Sequence, residues 1–128
     1  MILVGLVLAG LAAALHVYIF VLESLIWTGP RARRTFGLDA RTAEITKPLA
    51  FNQGFYNLFL AIAIFIGIVA MAADAATVGA TLVFVGTGSM VAAALVLVLS
   101  DGTKARAAAV QGVLPLLATV ALAIGLAA

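Results

Sequence analysis

An imidazole at His16 and a carboxyl at Glu23 stand inside the otherwise strongly apolar stretch from Ile2 to Trp27. A titratable group inside a membrane span is costly, and residues of this kind mark ion pathways, proton relays and ligand sites. Their seven-residue spacing returns both to one face of a helix, roughly 10 Å apart along its axis. Phe20 and Trp27 extend the same stripe. Proton transfer and polar ligand binding are the chemistries this pair suggests.

The polar groups that would complete such a site lie further along the chain. Asn52, Gln53, Gly54, Phe55, Tyr56 and Asn57 form an unusually polar run at the head of a second apolar stretch. Asn52 and Tyr56 are four apart, as are Gln53 and Asn57, so they define a polar arc about 140° wide, too wide to face lipid throughout. A last apolar stretch contributes Gln111, four residues before Pro115. Measured from the loop side of the membrane, Glu23 and Asn52 fall at roughly 6 to 8 Å and Gln111 near roughly 9 Å. On the same scale Tyr56 and Asn57 lie at roughly 12 to 14 Å, and His16 is close to the midplane. These depths predict a ligand-binding pocket in one half of the bundle, formed by Glu23, His16, Asn52, Gln53, Tyr56, Asn57 and Gln111. Each of these residues also has a structural reading, as a satisfied buried group or as polar glue between helices.

The elements that position these residues follow from composition. Of the 128 residues, 66% are hydrophobic and only 9% charged, far from the roughly 25% charged of soluble domains. The fold class expected is all-α, an integral membrane four-helix bundle in one domain over residues 1–128. Its spans are expected at about 2–27, 48–73, 76–99 and 105–127. Thr28, Gly29 and Pro30 break the first, with Trp27 as its interfacial anchor. Pro48 suits the first turn of the second. Residues 28–47 are read as a cytoplasmic loop, within which Asp39 to Thr46 could form a short interfacial helix. The first span lacks a basic leader and is too long for a cleaved signal, so it is expected to be retained.

Arg31, Arg33, Arg34, Arg41 and Lys47 lie between the first and second spans, and Lys104 and Arg106 between the third and fourth. All seven basic residues thus fall on one side. The positive-inside rule makes that side cytoplasmic and puts both termini outside, as expected for a multi-pass protein of the inner (cytoplasmic) membrane. The basic residues set topology or meet lipid phosphates, and no nucleic-acid partner is expected. The lipid bilayer is the expected partner; a small-molecule or lipophilic ligand and a homo-oligomer stay open.

Small residues at helix-packing intervals are frequent: Gly5 with Ala9 and Ala13, Gly88 with Ala92, Ala121 with Gly125. Such spacing lets helix backbones approach closely. Gly86, Thr87, Gly88 and Ser89 sit in mid-span, where they read as close packing and not as a phosphate loop. The absence of cysteine removes thiolate chemistry, one His with one carboxylate is too few for a structural zinc site, and nothing asks for haem. No metal site or named cofactor is expected, and no catalytic residue is assigned.

The pair His16 and Glu23 leading to Trp27, the run from Asn52 to Asn57, and Gln111-Gly112 ahead of Pro115 together resemble DUF1304, a family of small bacterial four-helix membrane proteins of unknown function. The resemblance covers nearly the full length. It implies four spans and singles out these same residues, but implies no activity.

Two function classes fit. A small-solute binding or proton-coupled transport protein is favoured, because a carboxyl in the first of four spans is similar to the arrangement in small multidrug-resistance exporters; the one-sided charge departs from their pattern. The alternative is a membrane-embedded enzyme of lipophilic substrates, since the architecture is similar to that of the trimeric membrane-associated glutathione and eicosanoid enzymes. The arginine and glutamate expected beside their helix 2 asparagine are missing here. A structural or assembly role is the third reading.

Overall fold

The computed structural model describes all 128 residues and is helical throughout, with no strand. Helix α1, Ile2–Phe20, continues into a π-helical turn at Val21–Leu25. A short helix α2 spans Pro30–Phe36, followed by α3 at Ala40–Ala72 and α4 at Ala76–Ser100. A 3₁₀ turn at Gly102–Lys104 leads into α5 at Ala105–Ala127. Four of these segments are long and apolar enough to cross a membrane: Ile2–Leu25, Ala40–Ala72, Ala76–Ser100 and Gly102–Ala127.

The four long helices form a closed ring. α1 packs against α3 and α5, and α4 packs against the same two, so α1 and α4 are diagonal and scarcely touch. The centre is built from small side chains with a few larger fillers: Ala9, Ala12 and Ala13 of α1, Ala61 and Ile64 of α3, Val83 and Met90 of α4, Ala118 and Leu122 of α5. Leu3, Val7, Phe59, Val69, Val85, Leu99 and Val120 are exposed on the outside. Such a surface suits hydrocarbon, where helices are held together by close packing and not by expulsion of water.

Glycine makes the closest approaches possible. A Cβ on Gly5 would lie 2.7 Å from the backbone nitrogen of Leu122, so α1 and α5 touch backbone to backbone. Gly67 and Gly79 do the same for α3 and α4, where a Cβ on Gly67 would sit 2.8 Å from the Gly79 carbonyl oxygen. Of the small-residue pairs expected from spacing, the Gly5, Ala9, Ala13 series and the Ala121, Gly125 pair are in packed positions. Gly88 is not: a Cβ there would meet nothing within 4 Å.

The sequence places the second helix start at Pro48; the structure starts α3 eight residues earlier. Asp39 caps it by accepting a 2.8 Å hydrogen bond from the backbone nitrogen of Thr42. Pro48 therefore lies within the helix, where its missing N–H costs one hydrogen bond and frees the Glu44 carbonyl. At 33 residues, α3 is about 50 Å long, well beyond a hydrocarbon layer of about 30 Å. Its first turns, with Arg41, Glu44 and Lys47, are the part with the composition of a membrane surface. The stretch 28–47 is thus largely helical: α2, which was not expected, a left-handed turn at Gly37 (φ 66°), and the head of α3, where the short helix expected over Asp39 to Thr46 runs on into the span. α4 begins at Ala76 and α5 at Ala105.

The first span also differs in detail. Its last turn is wound i to i+5, with the Ile26 nitrogen bonded to the Val21 carbonyl at 3.1 Å. A π turn holds one residue more than an α turn and rotates everything that follows. The simple seven-residue stripe from His16 to Glu23 is therefore broken between its members.

Candidate functional site

Glu23 sits in the middle of the π turn. Asn57 of α3 donates from Nδ2 to Glu23 Oε2 at 2.7 Å. Asn57 is buried and Glu23 half-buried, and no protein donor reaches Oε1. The carboxyl thus spends one oxygen on the scaffold and keeps the other available.

The contact depends on how closely the π turn lies on α3. Gly54, one turn before Asn57, is buried against it: a Cβ there would collide with Ser24 Oγ and come within 3.1 Å of Glu23 Cβ. Ser24 Oγ donates a 2.8 Å hydrogen bond to the Phe51 carbonyl, tying the same turn to α3 on the other side of Gly54. Phe20 and Phe55 meet edge to face, with ring centroids 5.1 Å apart, directly beside this junction. One glycine, two hydrogen bonds and an aromatic pair therefore fix where the carboxyl sits.

His16 lies one level deeper and is 2% exposed. Its Nδ1 is 2.9 Å from the Ala12 carbonyl oxygen. A carbonyl only accepts, so Nδ1 carries the proton and a neutral ring presents Nε2 as an acceptor. His16 shares no hydrogen bond with Glu23: the imidazole is held by its own helix and the carboxyl by α3.

The remaining predicted residues divide. Gln111 is half-buried on α5, while Asn52, Gln53 and Tyr56 are exposed, Tyr56 at 58%. Within the polar arc of α3 only Asn57 turns into the bundle. Trp27 donates from Nε1 to Thr46 Oγ1 at 3.0 Å, and its ring lies 4.9 Å from that of Phe36. It clamps α2 against the head of α3, a role that the reading as an interfacial anchor did not include.

Sequence reasoning missed a hydroxyl pair at the bundle centre. Thr87 of α4 is fully buried, donates to the Val83 carbonyl at 2.8 Å and lies 2.9 Å from Thr119 Oγ1 of α5. Thr119 is also 2.8 Å from the Pro115 carbonyl oxygen, so its single proton is shared between two acceptors. The signal was the threonine between Gly86 and Gly88; a Cβ on Gly86 would strike Ile64, which shows how tightly α4 meets α3 there. Pro115, lacking its N–H, leaves the Gln111 carbonyl without its helical partner.

Two surface concavities lie apart from Glu23. One of about 260 Å³ is an apolar groove between α4 and α5, lined by residues including Ala94, Leu95, Gly112 and Leu116. The other, of about 520 Å³, lies at the turn between α2 and α3.

The family model for DUF1304, described as a protein of unknown function, matches residues 10–123, and the chain belongs to that family. The matched segment includes His16, Glu23, the whole run from Asn52 to Asn57, and Gln111. Neither a curated protein nor a solved structure matches this chain.

Proposed function

We propose that this DUF1304 protein binds a small solute at Glu23 and couples its binding or transport to a proton carried by that carboxyl. The observation that supports this reading is the 2.7 Å hydrogen bond from Asn57 to Glu23 Oε2, which holds an acidic group inside a membrane span while leaving Oε1 free of protein donors. A group that served only as glue between α1 and α3 would be satisfied equally well by an amide, without the cost of a carboxyl in the membrane. The π turn adds to this, since such turns occur often at functional sites.

In this reading Glu23 is the ligand and proton group and Asn57 its positioning partner. His16 lies one level deeper in the same span and Gln111 is half-buried on α5, while Asn52, Gln53 and Tyr56, exposed on α3, contribute nothing to this site within one chain. The positive-inside rule makes the basic end cytoplasmic, with both termini outside, in the inner membrane. A carboxylate in apolar surroundings favours a lipophilic cation, so tetraphenylphosphonium is the probe. Purified protein is expected to bind it saturably with release of a proton, and Glu23→Gln to lose both. Absence of binding, or equal binding by both proteins without proton release, overturns the proposal.

The exposure of Asn52, Gln53 and Tyr56 on the outer side of α3 favours a second reading, in which copies of the chain complete a site between them, as in a membrane enzyme of lipophilic substrates. A monomer in mild detergent would remove that reading.

A further inference from the structure

The concavity at the turn between α2 and α3 lies outside the Glu23 site and does not depend on its function. It is lined by Pro30, Arg33, Arg34, Gly37, Leu38 and Asp39. Gly37 creates it: the left-handed residue ends α2 and turns the chain so that two arginines of α2 flank the cap of α3. The one acidic group on its wall, Asp39, accepts from the backbone nitrogen and the hydroxyl of Thr42 and keeps its negative charge near Arg33, so the two arginines leave the cleft with one net positive charge.

Arg33 is the unusual member. It is half-buried, and its Nε is buried with no hydrogen-bond partner. A guanidinium nitrogen removed from water without an acceptor is unfavourable, and its planar fork suits two oxygens of a phosphate. The cleft also lies just beyond the end of the first membrane-capable segment, Ile2–Leu25. Trp27, whose ring packs on Phe36 of α2, anchors it beside the end of the first span, and Arg31, Arg34, Arg41 and Lys47 are exposed around it. Pro30 and Leu38 add apolar wall next to the arginines.

We propose that this cleft binds a phosphate anion, with Arg33 and Arg34 holding the phosphate oxygens. The bilayer offers that group on anionic lipids beside the cleft, and the aqueous phase offers it as free phosphate.

The test is native mass spectrometry of the full-length protein in mild detergent, with phosphatidylglycerol or phosphatidylcholine added. Wild-type protein is expected to retain phosphatidylglycerol preferentially, and Arg33→Ala to lower that retention about fivefold, the effect of one well-placed basic residue at a membrane surface. Arg33→Lys, which keeps the charge and loses the fork, is expected to fall between them and guards against a folding defect. Arg106→Ala, a base at the same end of the bundle but outside the cleft, should match wild type. Inorganic phosphate added in millimolar amounts distinguishes the sources: displacement of the lipid identifies free phosphate as a ligand, and no displacement identifies the lipid headgroup. Equal retention by wild type and Arg33→Ala, or an equal loss in Arg106→Ala, overturns the proposal.

Discussion

Asn57 on α3 donates a 2.7 Å hydrogen bond to Glu23 in the π turn that ends the first span. The two residues are 34 positions apart, so their contact measures how α1 and α3 are docked. Asn57→Leu removes the donor and leaves a carboxyl without its partner, and Glu23→Ala strands the buried amide; each is expected to destabilise the bundle by about 1–3 kcal/mol. The double variant should lose less than the sum, with a coupling of about 0.6–2 kcal/mol. Unfolding of the four proteins in mixed micelles checks this, and strict additivity would contradict the contact.

Gly54, Gly5 and Gly88 are expected to respond differently to the same methyl group. Gly54→Ala must push Ser24 away from the Phe51 carbonyl, at a cost of about 1–3 kcal/mol, and Ser24→Ala in the same chain should recover part of it. Gly5→Ala meets the Leu122 backbone, which has no rotamer to change, so no single side-chain truncation should rescue it. Gly88→Ala meets nothing and should be neutral or stabilising by up to about 1 kcal/mol. Thermal unfolding in detergent ranks the three.

Trp27 is the only tryptophan, so its fluorescence reports the clamp between α2 and α3 without labelling. Phe36→Ala removes the ring packed on it and is expected to shift its emission to the red. Thr46→Val removes the acceptor of its indole N–H and should give a smaller change, because the ring contact stays. An unchanged spectrum in Phe36→Ala would show that α2 is not held by this residue in the membrane.

Asp39 predicts a pH dependence at the head of α3. The Thr42 backbone N–H, and next its hydroxyl, bond the ionised carboxyl and hold it below its ordinary value of 3.8, with the Arg33 charge adding to the effect. A lowered value in the folded state means that the unfolded chain takes up protons first as pH falls. The cap's contribution is therefore complete above pH 3.8 and is lost as pH drops through the lowered folded value. Amide exchange over residues 42–46 should be faster in Asp39→Ala than in wild type at neutral pH, and the difference should close under strong acid. A difference that persists there would assign the cap to something other than the carboxylate.

Much of the fold was legible in the sequence because solvent preference is written residue by residue. The four apolar segments, the seven basic residues gathered at one end and the breaker at Thr28, Gly29 and Pro30 needed no partner to be recognised. The head of α3 was legible as a possible short helix from Asp39 to Thr46, but its continuity with the span was hidden by Pro48, whose local rule as a helix starter set a boundary there.

The candidate site was legible as a list of residue types, not as an arrangement. Spans that are apolar on every side carry no periodicity to say which face turns inward, so Asn57 could not be told from Asn52, Gln53 or Tyr56 on the same arc. The π turn was equally silent, because it depends on the fit of Ser24 and Glu23 against Gly54 and not on the sequence Val21–Leu25 alone. The sequence by itself determined a four-span helical membrane protein with an acid and an imidazole in its first span. Only the tertiary structure decided that the acid pairs with Asn57 and the imidazole with its own helix, because close approach between helices is set by where both partners are small.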